Sequence, residues 1–203
     1  MIRPWLLLAA AALASAQPNP GEWKSMFDGK SLAGWKETPF TSHGQVRVEN
    51  GTVTLGTGYL TGINWAGSFP KINYEVRVEA ARMKGSDFFA GITFPVGDAF
   101  CTWINGGWGG EVVGLSSLEE NDASENETTS YKTFETGRWY TLRLRVTDQV
   151  IAAWIDQEQV IGLETANRTI GLRFGEIEMS KPFGIASYST VAAIRKIEYR
   201  VLP

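Results

Sequence analysis

The chain has 203 residues, with 19 basic and 22 acidic side chains, a net charge of −3 and a single histidine. That mild acidity argues against nucleic acid or an anionic membrane as a partner, because both need a surplus of Lys and Arg. Cys101 is the only cysteine, so no internal disulfide forms; between Phe100, Thr102 and Trp103 it reads as a small buried hydrophobe.

Residues 1–16 carry the marks of an export signal: Arg3, an apolar run from Trp5 to Leu13, and Ala14-Ser15-Ala16 as a small-x-small cleavage pattern before Gln17. The run is shorter than the roughly 20 apolar residues of a membrane-spanning helix. The expectation is a protein exported to the periplasm or beyond, with no membrane span. Residues 17–21 form a short leader and 22–203 a single domain.

From there the pattern is strand-like almost throughout, broken by Gly, Pro, Asn and Asp clusters. In Tyr74-Glu75-Val76-Arg77-Val78-Glu79-Ala80 apolar and charged residues alternate, so Tyr74, Val76 and Val78 face a core and Glu75, Arg77 and Glu79 face away. Asp87 to Phe94 and Ala99 to Ile104 read as paired strands turning through Pro95-Val96-Gly97-Asp98, with Asp87 as a turn residue at the strand start. Trp139 to Thr147 alternates again, with Tyr140, Leu142, Leu144 and Val146 inward. Val150 to Asp156 and Gln159 to Leu163 form a hairpin, and Ile194 to Leu202 closes the domain. Only Leu115 to Asn126 and Glu176 to Lys181 have helix-like composition, and neither has the length or the amphipathic pattern of a helix. Many antiparallel strands with few helices mean a sandwich or a barrel.

Much chemistry is excluded. His43 stands alone and no Gly-x-Ser-x-Gly elbow exists, which removes the usual hydrolase triad and any multi-histidine zinc site. Dinucleotide and phosphate-loop fingerprints are absent, so no nucleotide cofactor is expected. Acid–base work must fall to carboxylates, helped by His43, Tyr, Lys or a metal.

From Trp103 to Thr129 the chain departs from scaffold. Asn105-Gly106-Gly107-Trp108-Gly109-Gly110-Glu111 joins an amide, an aromatic face, four glycines and a carboxylate. Aromatic faces stack on the C–H surface of sugars while amides and carboxylates bind hydroxyls; the bland alternative is a glycine-rich bulge, with Trp103 in the core. Glu111 precedes Val112-Val113-Gly114-Leu115, a core strand, and desolvation at the mouth of such a strand raises a carboxylate pKa toward general-base or general-acid work. A solvated strand end is the other reading of Glu111.

Leu118 to Thr129 then holds five carboxylates and two Asn. Either it is an exposed acidic loop, or Asp122, Glu125 and Asn126 offer oxygens to a hard divalent cation such as calcium, magnesium or manganese. On the strand faces, Glu75, Arg77 and Glu79 with Arg143 and Arg145 make either cross-strand ion pairs or a polar sugar-binding face, to which Trp154 would add a ring.

The segment Met26-Phe27-Asp28-Gly29-Lys30-Ser31-Leu32-Ala33-Gly34-Trp35 resembles the opening signature of the bacterial 3-keto-disaccharide hydrolase domain family. Trp139-Tyr140-Thr141-Leu142-Arg143, Ala153-Trp154-Ile155-Asp156 and Ile194-Arg195-Lys196-Ile197-Glu198-Tyr199 extend the similarity over most of residues 22–202, while Gly106–Thr129 departs from the commoner pattern. The resemblance implies an all-β, concanavalin A-like jelly-roll sandwich of two antiparallel sheets, with a carbohydrate as substrate or ligand. It also implies cleavage of glycosides oxidised at C3, where a base removes the acidified C2 proton. Glu111 is the expected base, Asn105, Trp108, Arg77 and Trp154 are expected to bind sugar, and Asn105 or a bound cation steadies the oxyanion. A non-catalytic carbohydrate-binding domain is the competing class. In the opening block itself, Phe27 and Trp35 read as core anchors, Asp28-Gly29 as a turn, and the segment as a sealing strand.

Overall fold

The computed structural model describes residues 21–203, and the expected export signal, residues 1–16, lies outside them. Fifteen strands and one 3-10 helix follow in order. They are β1 (Lys24–Ser25), β2 (Trp35–Glu37), β3 (Val46–Glu49), β4 (Thr52–Leu55), β5 (Leu60–Trp65), β6 (Tyr74–Lys84), β7 (Gly91–Val96), β8 (Ala99–Gly107) and β9 (Val112–Ser116). After these come β10 (Ser130–Tyr131), β11 (Trp139–Val146), β12 (Val150–Ile155), β13 (Glu158–Glu164), the 3-10 helix Glu176–Ser180, β14 (Gly184–Tyr188) and β15 (Val191–Val201). No helix among the described residues is long and apolar enough to cross a membrane.

The strands form two antiparallel sheets packed face to face, the jelly-roll sandwich expected. One sheet runs β13-β12-β11-β6-β15-β4-β3, with β1 also on β15; the other runs β10-β9-β8-β7-β14-β5-β2. Strand periodicity explains the core between them. Tyr74, Val76 and Val78 of the first sheet and Ile92, Phe94, Cys101, Trp103, Val113 and Leu115 of the second are all fully buried. Each such side chain contributes about 1.5–3 kcal/mol relative to exposure. Burial also pushes the Cys101 thiol up to about 12.

The alternation read along residues 74–80 and 139–147 holds in register, since Leu142 pairs with Val78, and Leu144 with Val76. The hairpin after Ile155 is tighter than expected, with Ile155 opposite Glu158. Asp87 to Ala90, expected as strand, leave the ladder, and β7 begins only at Gly91. Leu115 to Asn126 contain no helix, and Glu176–Ser180 make one short 3-10 turn.

The outward face of the first sheet is an ion-pair surface. Glu75 points away from the core yet is 0% exposed, because Arg145 Nε (2.6 Å) and Arg200 Nε (2.7 Å) close over its carboxylate. Burial alone would raise the Glu75 pKa, but these two guanidiniums outweigh it and hold the group below its ordinary value. Arg77 donates to Glu198 at 2.9 Å and lies over the Trp23 ring, while Arg143 lies 3.8 Å from the Trp154 centroid.

The opening block does not form a sealing strand. It crosses from one sheet to the other: Lys24 pairs with Tyr199 and Trp35 with Trp65. Between them Asp28 Oδ1 accepts the N–H groups of Lys30 and Ser31, both at 2.8 Å, which makes the expected turn and holds the Asp28 carboxyl below its usual range. Phe27 and Trp35 are core residues, and Trp35 Nε1 donates to Met26 O at 2.7 Å.

Candidate functional site

The outward face of the second sheet carries a groove of about 610 Å³, within the ordinary range for small-molecule sites. Thr102 and Ile104 of β8 and Ser116 of β9 form its floor by the same parity that sends Trp103 and Leu115 into the core. Tyr59, Phe88, Trp108 and Phe174 supply aromatic walls. Three of these rings are strongly exposed, Tyr59 at 58%, Trp108 at 43% and Phe174 at 96%. Such rings face a ligand more readily than a core.

Asp87 sits where the chain leaves the ladder. The buried Thr190 hydroxyl accepts the Asp87 N–H at 3.0 Å and donates to Asp87 O at 3.1 Å, which fixes the backbone. Its carboxylate accepts Phe88 N–H at 2.8 Å and Gly109 N–H at 3.4 Å, and lines the groove. Tyr188, the last residue of β14, packs edge-on against Tyr59 with centroids 4.9 Å apart. Desolvation, then the Tyr59 hydroxyl, then the Asp87 charge push the Tyr188 phenol above its ordinary value, Arg173 opposing them. The phenol therefore keeps its proton at neutral pH and is a donor.

Arg173 lies on the segment before the 3-10 helix and reaches Asp122 Oδ2 at 3.2 Å. Asp122 Oδ1 in turn accepts the Ser116 hydroxyl at 3.1 Å. Glu176 opens the 3-10 helix and accepts the Thr41 N–H at 3.0 Å, which anchors that wall. The groove thus brings together the Asp87 carboxylate, the neutral Tyr188 phenol and the Arg173 guanidinium between aromatic rings. That set can move a proton and stabilise a developing anion.

The expected site residues scatter by comparison. Trp108 is in the groove, on backbone with φ +47°. Glu111 is exposed and lies in a separate cleft of about 270 Å³ beyond Trp108, accepting the Thr133 hydroxyl at 3.1 Å. It is not desolvated at a strand mouth. Asn105 shares the parity of Trp103 and is fully buried; its amide donates to Ala90 O at 2.9 Å, satisfying backbone that the departure of Asp87–Ala90 leaves unpaired. Arg77 and Trp154 belong to the ion-paired face of the other sheet, across the core from the groove.

Asp122, Glu125 and Asn126 do not form a cation cage. Asn126 Nδ2 donates to Leu115 O and Asp122 O, both at 2.7 Å, and its Oδ1 accepts from Thr128 N (3.0 Å) and Oγ1 (2.6 Å). Its side chain is spent on holding the loop, Asp122 is paired with Arg173, and Glu125 is exposed. Among the described residues no group of three or more His, Cys, Asp or Glu is placed to hold a metal ion. These residues do not fit a cation. Gly114 lets the loop lie on the sheet, since a Cβ there would meet Ala123 O at 2.7 Å.

Asp87, Tyr188, Tyr59 and Arg173 are the residues that sequence reasoning missed. The available signals were Asp87 following the turn-like Gly85-Ser86 directly ahead of Phe88-Phe89, and Arg173-Phe174 held between Gly171 and Gly175.

No curated protein sequence matches the chain. Among solved structures, the fold is similar to that of Crh5 transglycosylase in complex with NAG, at 15% identity over 92% of this chain and 88% of that one, with TM-score 0.60. It is also similar to the Bacillus licheniformis β-glucanase (9% identity, 92% and 100% coverage, TM-score 0.59) and to the carbohydrate-binding module CBM66 from Bacillus subtilis (11%, 82% and 95%, TM-score 0.50). At these identities the likeness is one of fold. The sequence model of the 3-keto-alpha-glucoside-1,2-lyase-like domain matches residues 22–200, and with nearly the whole chain so covered, the protein belongs to that family.

Proposed function

We propose that this protein is an exported enzyme that cleaves glycosides whose sugar carries a ketone at C3, and that the groove around Asp87, Tyr188 and Arg173 is its active site. The observation that carries the reading is the convergence of the Asp87 carboxylate, the protonated Tyr188 phenol and the Arg173 guanidinium on an aromatic-walled groove. Family membership supports the substrate class. Arg3, the apolar run to Leu13 and Ala14-Ser15-Ala16 support export.

The ketone acidifies the C2 proton. Asp87 takes that proton, and the C2–H electron pair forms an enolate whose negative oxygen at C3 is held by Arg173. The enolate collapses to regenerate the ketone and form a C1–C2 double bond. The C1–O bond breaks, and the departing oxygen receives a proton from Tyr188. Water adds to the double bond in a later step. Two-carboxylate displacement at C1, as in ordinary glycosidases, is a different scheme and is not required.

The test is release of the leaving group from a 3-keto-glucoside by the purified mature protein. Asp87→Asn is expected to lower kcat by about 10²–10⁴-fold, the usual worth of a general base, with little change in binding. Full activity in Asp87→Asn removes that residue from the mechanism. Binding of glycans by the wild-type protein with no turnover of any 3-keto-glycoside overturns the enzyme reading in favour of a carbohydrate-binding domain.

A further inference from the structure

The geometry points to a second sugar subsite in the cleft beyond Trp108, which takes the ring that departs; this rests on the glycoside-cleaving reading of the groove. Trp108 lines both cavities and so stands as the wall between them. The bond that breaks must lie beside it, because Asp87 on the groove side accepts the N–H of Gly109, the residue that follows Trp108. A sugar whose C2 sits over Asp87 therefore sends its C1 substituent past the tryptophan and into the cleft.

The cleft suits one ring. Its volume, about 270 Å³, is just below that of whole small-molecule sites, as befits a single ring. Tyr131, 72% exposed on β10, lines it together with Trp108, so a pyranose entering there meets two aromatic side chains with its C–H faces. Glu111 and Thr133, hydrogen-bonded at 3.1 Å, present a carboxylate and a hydroxyl oxygen as acceptors for the hydroxyls of such a ring. This gives Glu111 a role, that of binding the leaving group's hydroxyls.

The wall is built, and held at a cost. A bulky residue at positive φ is rare, and such a strained conformation persists only where its surroundings enforce it. Trp108 keeps φ +47° while remaining 43% exposed, so core packing is not the compensation. Instead the turn after it is clamped from below. Arg82, only 8% exposed, donates Nη1 to Gly110 O at 3.2 Å and Nη2 to Phe134 O, and makes no ion pair among the described residues. Gly110 has φ +113°, and a Cβ there would meet Arg82 Nη1 at 2.7 Å. A buried cation that ties this turn to the Phe134 backbone holds an exposed ring in a strained position between two cavities. A dividing stacking platform explains all three facts.

Binding of unoxidised ligands tests the subsite without any chemistry. By calorimetry the wild-type protein should hold an α-linked glucose disaccharide about tenfold more tightly than methyl α-glucoside, the gain of one stacked, hydrogen-bonded ring. Tyr131→Ala and Glu111→Gln, both at exposed positions, should each reduce that ratio toward one while the melting temperature stays in place. Equal affinity for the two ligands in the wild type, or a ratio unchanged in both variants, overturns the subsite. Turnover of the 3-keto disaccharide is read separately. Its absence overturns the reaction assigned to the groove, and the affinity ratio still decides the cleft.

Discussion

Arg173 Nη1 lies 3.2 Å from Asp122 Oδ2, and this pair joins the acidic loop after β9 to the segment that leads into the 3-10 helix. Both partners keep contact with solvent, so the bond itself is worth about 0–1 kcal/mol. Its value is positional. Arg173→Lys retains the charge but loses the planar fork, and should lower kcat/KM by about tenfold or more while shifting the melting temperature little. A steady-state assay beside a thermal melt checks it.

Tyr188 should matter through its proton. Tyr188→Phe keeps the ring against Tyr59 and removes the donor, and a loss of about a hundredfold in kcat is expected for a lost general acid. Because the phenol is raised above 10.0 in the folded protein, its deprotonation cannot limit activity until the pH passes that value. A kcat–pH profile with an alkaline limb well below pH 10 that disappears in Tyr188→Phe contradicts this.

Glu75 makes stability depend on acid. Its pKa lies below the ordinary 4.5 in the folded state, so the stabilisation it provides is fully present above that value and is lost as pH falls through the lower folded one. Glu75→Ala should cost about 1–3 kcal/mol at neutral pH, because Arg145 and Arg200, themselves partly solvated, lose a charge-assisted hydrogen-bond partner. That deficit should shrink as pH falls below 4. Urea denaturation of both proteins at pH 7 and pH 3 measures the difference.

Asn126 is predicted to be structural. Replacing it with Ala removes donors to Leu115 O and Asp122 O and an acceptor for Thr128. At about 0.5–1.5 kcal/mol net per bond, a total loss of about 2–3 kcal/mol is expected. Calcium, magnesium or manganese should not offset it; recovery of stability with added cation would return the loop to metal binding.

Cys101 should resist thiol reagents in the native protein. It is fully buried with its thiol pushed up to about 12, so the thiolate is scarce and the sulfur inaccessible. Labelling by a disulfide reagent is expected only on the timescale of global unfolding, and rapid native labelling would show that the second sheet opens locally.

The sandwich was largely legible because period-two alternation is a local signal. Tyr74 to Ala80 and Trp139 to Val146 declare both their strand character and their inward face. What alternation cannot reveal is which outward face is hollow. Arg77, Trp154 and Arg173 are alike in the sequence as exposed polar or aromatic groups, yet the first two stack and pair on one sheet while the third borders a groove on the other. The site residues also come from places where the pattern fails. Asp87 lies before β7 begins, Tyr188 ends β14, and Arg173 sits in irregular chain, so only tertiary structure brings them together. Asn105 is the instructive case: its parity with Trp103 placed it inside, and the chemical appeal of an amide beside glycines pointed the other way.

One consequence follows from the order of strands in the first sheet. β15 is the last of the described strands, yet it lies in the interior of the sheet, hydrogen-bonded to β6 over most of its length and to β4 and β1 on its other edge. Vectorial synthesis therefore delivers this central element after the β6 and β4 strands it joins. Until residues 191–201 emerge, β6 has one bare edge, Glu75 lacks Arg200, and β4 has no partner linking it to the rest of the sheet. Native structure then depends on contacts distant in sequence, which slows folding. The first sheet stays incomplete until residues 191–201 have been made.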